Sequence, residues 1–141
     1  MTIKQVSVFL ENRPGRLAEV LGLLKENEVN IYALYVSDTT QFGILRLIVD
    51  KPEAAFAALK ENSMTATLTD VIGVSMQDEC GALYEIIQTI KEEGVSIEYM
   101  YAFAGRQGTN PAALVIRPAD MQEMIDMLQS KGFKLLSLEE I

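Results

Sequence analysis

Apolar and polar residues alternate along the first strand-like stretch, with Val6, Val8 and Leu10 on one side and Ser7, Phe9 and Glu11 on the other. A period of two predicts a strand whose Val6, Val8 and Leu10 face a core. The period then lengthens. Leu17, Val20, Leu21 and Leu24 recur at helical spacing, and Glu19, Lys25 and Glu26 fall off that stripe. The helix is predicted to end near Asn27. It carries a second, bare stripe of Gly15, Ala18 and Gly22, which is either a face for another helix or a set of tolerated surface positions. Residues 29–36 form a second strand, rich in apolar and aromatic side chains. It is apolar on both faces, which is unusual for an exposed edge. Residues 37–41 read as a polar loop and residues 43–49 as a third strand. Asp50-Lys51-Pro52 starts a short helix with Ala55, Phe56 and Leu59 inward, and residues 64–68 give a fourth strand. The order is β-α-β-β-α-β.

The pattern then begins again. In residues 71–76, Ile72, Val74 and Met76 stand where Val6, Val8 and Leu10 stood. Leu83, Ile86, Ile87 and Ile90 repeat the helical stripe, Lys91-Glu92 repeats Lys25-Glu26, and Gly94 supplies a helix stop. Val95-Ser96-Ile97 repeats Val29-Asn30-Ile31, and Tyr101 repeats Tyr35. A loop over residues 105–110 leads to a strand at 112–116. Pro118 is expected to open a last helix with Met121, Met124, Ile125 and Leu128 inward, ended by Gly132. Residues 133–138 close the second unit. A constant offset across strand, turn, helix and strand marks an internal repeat. The division is placed at residues 1–68 and 69–141. Each unit, at roughly 70 residues, is marginal for a lone core. The expected solution is a pseudo-dimer, with the apolar strands 31–36 and 97–104, or the helices after Gly15 and Gly81, meeting across a pseudo-two-fold.

The stretch Glu11-Asn12-Arg13-Pro14-Gly15-Arg16-Leu17 joins the first strand to the first helix. Pro14 suits the first turn of a helix, where its missing N–H is no loss. Gly15 lets the backbone approach whatever lies above the turn. Free N–H groups at the new helix start suit an anion such as a carboxylate. Asn12 adds a group that both donates and accepts. Such a turn can hold a small zwitterion. Its repeat is Asp78-Glu79-Cys80-Gly81-Ala82-Leu83, where Asp78 is either a ligand contact or a helix cap.

Composition narrows the function. The 141 residues are 49% apolar, enough for a real core, and no run approaches the ~20 residues of a membrane span. The start of the chain enters a strand pattern without a basic-then-apolar signal segment. One cysteine, Cys80, excludes an internal disulfide and fits a reducing compartment, so a cytoplasmic protein is expected. A net charge of −8 with scattered cations argues against nucleic-acid binding. The chain has no histidine, which removes the commonest general base and metal ligand. No metal site, no cofactor and no catalytic residue is assigned. Cys80 lies at a predicted helix N-terminus, where a thiol pKa can fall, but a second cysteine and a base are missing. Arg13 and Arg16 are within reach of a bound carboxylate or are solvated.

A β-α-β-β-α-β unit with Asn-x-Pro-Gly at its first turn and Val-Asn-Ile before its second strand resembles an ACT domain, a ferredoxin-like small-molecule-binding module of regulated metabolic enzymes. Two copies span nearly the whole chain. The first is similar to the serine-binding regulatory domain of phosphoglycerate dehydrogenase. The resemblance implies an α+β fold of two ferredoxin-like units, with antiparallel sheets and helices on one face. It implies that Asn12 and Asn30 hold the amino and carboxylate groups of a bound amino acid. Arg13, Pro14 and Gly15 would form the turn around it, and Leu17 and Ile31 would pack on its side chain. In the second copy Asp78, Gly81, Ser96 and Ile97 take those places. Leu10 stands where the serine-binding domain has a histidine, which points to a more apolar amino acid. The family often sets such sites between two ACT units. Two units without a catalytic domain resemble a free-standing, allosteric amino-acid sensor that is not itself an enzyme and acts on a partner metabolic enzyme, as a homodimer. The alternative is an oligomerisation module with a degenerate ligand site.

Overall fold

The computed structural model describes residues 2–11, 13–38, 42–104 and 112–141. Asn12, the tip of the 37–41 loop and the 105–110 loop therefore lie outside the described residues. The elements are β1 (Ile3–Glu11), α1 (Arg16–Glu26), β2 (Ile31–Asp38), β3 (Phe42–Val49), α2 (Pro52–Glu61), β4 (Thr65–Met76), α3 (Ala82–Glu92), β5 (Ile97–Ala104), β6 (Ala112–Pro118), α4 (Met121–Ser130) and β7 (Leu135–Leu136). A 3-10 turn, Leu138–Glu140, follows. The chain divides into two compact units, Lys4–Thr69 and a second made of Asp70–Ile141 with the residues up to Ile3.

In the first unit the strands lie in the order β2-β3-β1-β4. β3 is antiparallel to both neighbours, with Val8 opposite Leu45 on one side and Val36 opposite Leu45 on the other. Alternation delivers Val6, Val8, Leu10, Leu45, Leu47 and Val49 to one face, where Val20 and Leu24 of α1 and Ala55 and Leu59 of α2 cover them. Burying each large aliphatic side chain contributes about 1.5–3 kcal/mol. The second unit repeats the order as β5-β6-β4-β7. Ile72, Val74, Leu114 and Ile116 pack under Ile86 and Ile90 of α3 and Met124 and Leu128 of α4. Each unit is thus a ferredoxin-like β-α-β-β-α-β fold with its helices on one face of an antiparallel sheet.

Several boundaries differ from the sequence reading. The strands expected at 64–68 and 71–76 are one continuous strand, β4. Thr69 and Asp70 contain no Gly or Pro to break an extended backbone, and polarity alone does not end a strand. Pro118 does not open α4. It is the last residue of β6, and Asp120 caps the helix by accepting a hydrogen bond from Glu123 N–H at 2.9 Å. The closing strand shrinks to Leu135–Leu136, because Ser137 and Glu140 form a capping box that turns the chain into the 3-10 segment. Leu17 and Leu83, expected inward, are more than a third exposed. The helices are rotated so that Val20 with Leu24, and Ile86 with Ile90, point at the sheets.

Candidate functional site

In both units the first strand runs into its helix through a left-handed glycine. Gly15 has φ 86° and ψ −11°, and Gly81 has φ 89° and ψ −11°. Each is the N-cap residue, and among the described residues no side chain caps either helix. An L-residue is disfavoured in that conformation, which explains why glycine is repeated there. Pro14 is not in the first turn of α1 as expected. It precedes the N-cap, inside a turn where the Arg13 N–H bonds to Glu11 O at 2.9 Å and the Arg16 N–H to Arg13 O at 3.4 Å. Asp78 does not cap α3 either, since that position is Gly81. The first-turn N–H groups after those of Arg16 and Ala82, which bond to Arg13 O and Glu79 O, therefore have no side-chain cap among the described residues, an arrangement that attracts an anion.

Arg13 and Arg16 differ. Arg13 is exposed and pairs with Glu11 at 3.4 Å. The Arg16 side chain is only 17% exposed and its Nη1 lies 2.6 Å from Glu19 Oε2. Arg16 is committed to its own helix and is not poised for a ligand carboxylate.

Asn30 sits at the other end of the unit. β1 ends with Glu11 opposite Phe42, at the start of β3, whereas β2 begins with Ile31 opposite Val49, at the end of β3. Those ends are separated by the length of β3, about 23 Å at ~3.3 Å per residue. One unit therefore does not bring Asn30 and Ile31 to the Arg13–Pro14–Gly15 turn. Asn30 is fixed by its backbone: its N–H donates to Asp50 Oδ1 at 2.8 Å, and its carbonyl accepts from the Asp50 N–H at 3.0 Å. Its side-chain amide has no partner among the described residues and is exposed. Asn30 and Ile31 line a shallow cavity of about 420 Å³ with Leu21, Lys25 and Glu28. Ser96 is held likewise, its carbonyl accepting from the Ala119 N–H at 3.0 Å. Leu10, read above as standing where the serine-binding domain has a histidine, is buried in the first core.

A second cavity, of about 440 Å³, lies in the second unit beside its turn. Its walls include Ser75, Gln77, Glu79, Ala82, Glu85, Phe133 and Lys134. Asp78 and Gly81 adjoin it in sequence but are not among its lining residues. The sequence pattern alone assigns no role to Glu79 or Glu85. The signal that marks this place is the exchange of Arg16 for Ala82 at equivalent positions of the repeat.

Cys80 is exposed and unbonded, one residue before the N-cap of α3. Among the described residues no three of His, Cys, Asp and Glu gather as a metal site, and no helix is long and apolar enough to cross a membrane.

The profile of a family described as an ACT domain pair matches residues 1–136. No curated protein matches. Among solved structures, protein BT0572 from Bacteroides thetaiotaomicron is 43% identical, with a TM-score of 0.91 over 99% of this chain and 95% of that one. The regulatory subunit of aspartate kinase from Thermus thermophilus superposes with a TM-score of 0.60 at 16% identity, over 92% of this chain and 91% of that one. Escherichia coli aspartokinase III in complex with lysine and aspartate gives 0.52 at 13% identity, over 92% of this chain and 31% of that one.

Proposed function

The chain belongs to the ACT domain pair family, and on that premise we propose that it is a cytoplasmic regulatory module that binds a small amino acid and passes its occupancy to a partner metabolic enzyme. The observation that carries this reading is the repeated uncapped helix start at Gly15 and Gly81, where the same left-handed turn presents backbone N–H groups twice. A carboxylate suits those N–H groups, and Asn12 or Asp78 beside them suits an ammonium group. Asn30 and Ile31, or Ser96 and Ile97, of a second copy of the chain would complete the site, because each unit holds its turn and its strand entry at opposite ends of its central strand, β3 or β6. That the similar structures include a regulatory subunit of aspartate kinase and an aspartokinase with bound amino acids fits the reading.

Regulation would work by linkage: the ligand favours one packing over another by no more than its differential affinity for the two. The test is a thermal-shift screen against the twenty amino acids, followed by the Asn12→Ala/Asn30→Ala double variant. A ligand at 100 times its dissociation constant adds about 2.7 kcal/mol, a shift of several degrees. The double variant is expected to stay folded and lose that shift. Normal binding by it would place the ligand elsewhere.

A second reading, an oligomerisation module, is favoured by β2. Among the described residues this strand has a ladder partner on one side only, β3, and Leu34, Tyr35 and Val36 are each at least 40% exposed on it. An apolar open edge is a ready surface for pairing with a second copy. A stable dimer that no amino acid stabilises would select this reading.

A further inference from the structure

The face of the first sheet that turns away from α1 and α2 carries an exposed apolar patch. Val8, Leu45 and Leu47 belong to the core under the helices. Alternation therefore puts Phe9, Phe42, Ile44 and Arg46 on the other face, with Tyr35 opposite Arg46. Phe9 stands opposite Ile44, and its ring centroid lies 4.9 Å from that of Phe42. Phe9, Phe42, Ile44 and Tyr35 are each more than a third exposed. The fold does not demand these side chains. In the second unit the pair equivalent to Phe9 and Ile44 is Ser75 opposite Ala113. Large apolar groups clustered in water mark a surface for another macromolecule.

Charge selects a second copy of the chain as that molecule. Arg46, opposite Ser7, flanks the patch at one end, and Glu11, opposite Phe42, flanks it at the other. Ser7 and Glu11 are four residues apart on β1, which separates the two charges by ~13 Å along the strands at ~3.3 Å per residue. The Tyr35 ring, 5.9 Å from the guanidinium carbon, and Ser37 Oγ, 3.3 Å from Nη1, hold Arg46 on this face. Glu11 pairs with Arg13 at 3.4 Å, and with both side chains more than half exposed that pair is worth little. A two-fold axis lying between two such faces, and running across the strands, reverses the strand direction. It sets each Arg46 end against the Glu11 end of the other copy. Lys4–Thr69 carries seven Lys and Arg against eight Asp and Glu, net −1, so two first units approach with little repulsion. The remaining residues carry five against twelve, net −7, and repel their own copy.

We propose that the helix-free face of the first unit is the surface through which the chain self-associates. Two copies pack Phe9, Phe42 and Ile44 against the same residues, and two Arg46–Glu11 contacts close the ends. This interface goes beyond the amino-acid reading. It also differs from pairing along the edge of β2, which would use the backbone beside Leu34 and Val36.

Sedimentation velocity of the full chain, from micromolar to millimolar concentration, tests the proposal, with a melting curve for each variant. The parent is expected to dimerise. Phe9→Ser/Ile44→Ala, which installs the second unit's residues, should raise the dimer dissociation constant at least tenfold. Glu11→Arg and Arg46→Glu should each raise it at least tenfold, and the double swap Glu11→Arg/Arg46→Glu should recover most of the loss. Val36→Lys, on the β2 edge, should leave association unchanged. If Arg46→Glu fails to fold, Glu11→Arg and Phe9→Ser/Ile44→Ala still decide the matter. A parent that stays monomeric, or a dimer that Phe9→Ser/Ile44→Ala leaves intact, overturns the proposal. Loss of the dimer in Val36→Lys alone would move the interface to β2, and a double swap that recovers nothing would refute the two-fold pairing of charges. The amino-acid thermal-shift screen reads the regulatory proposal separately, so either can fail without the other.

Discussion

Replacing Gly15 by alanine separates backbone conformation from packing. A Cβ built on Gly15 meets nothing within 4 Å, so the substitution adds no clash. What remains is the cost of holding an L-residue at φ 86°, about 1–2 kcal/mol. Alanine also narrows the unfolded ensemble, which offsets about 0.5 kcal/mol of that cost. The expected net loss is about 1 kcal/mol. Asparagine, which visits the left-handed region more readily, should lose less. Urea denaturation at fixed protein concentration, read as a change in midpoint at constant slope, resolves the series. The expected order of stability is parent, then Gly15→Asn, then Gly15→Ala. Gly81→Ala should lose about as much as Gly15→Ala, because its φ and ψ match and its surroundings are equally open. A Gly15→Ala variant as stable as the parent would refute the left-handed cap, and a loss above about 3 kcal/mol would show a contact the geometry excludes.

Other substitutions probe the cores and the charges. Leu59→Ala, at a fully buried position of the first core, should cost about 2–5 kcal/mol, read by the same denaturation. Asp120→Ala removes the cap on α4 and should cost about 1 kcal/mol, with Asp120→Asn recovering most of it. The Ser137 N–H, with a smaller contribution from Lys134, holds the Glu140 carboxyl below its ordinary value of 4.5. Its contribution is therefore present above that ordinary value and lost as pH falls through the lowered one, so Glu140→Gln should flatten the acid limb of a stability–pH curve. Glu93, hydrogen-bonded at 2.8 Å, raises the Lys131 ammonium above 10.5. That stabilisation is present below 10.5 and lost only as pH rises through the raised value, so Lys131→Gln should differ from the parent at neutral pH and converge with it in strong base.

The repeat was legible because each unit uses the same two periods in the same order. The alternation at Val6, Val8 and Leu10 and its echo at Ile72, Val74 and Met76 both fill cores. Gly15 and Gly81 were legible as turn residues, though their role as left-handed caps shifts Pro14 out of the helix. Leu17 and Leu83 misled because a leucine two residues past the cap fits the helical stripe. The rotation of the helix on its sheet, which decides burial, is set by partners far along the chain. The polar pair Thr69-Asp70 looked like a gap between strands. Strand continuity depends on backbone pairing, and hydropathy does not report it. The distance between the Gly15 turn and Asn30 was not legible at all, since it follows from the register of β3 against β1 and β2. The cavity beside Glu85 was missed because an alanine at a helix start carries no pattern until it is set against Arg16.

Gly73 has a consequence for how the chain is made. A Cβ built there would lie 2.8 Å from Cδ1 of Ile3 and 3.4 Å from Cβ of Leu136. Ile3, itself 1% exposed, belongs to the same compact unit as Asp70–Ile141. On the ribosome, Ile3 emerges long before Gly73 and Leu136, while Lys4–Thr69 has all its strands available earlier. Ile3 is thus synthesised well before the residues it packs against and is seated only once they are present. A gene fragment that begins at Asp70 would encode every helix of the second unit and still leave the groove over Gly73 without its isoleucine.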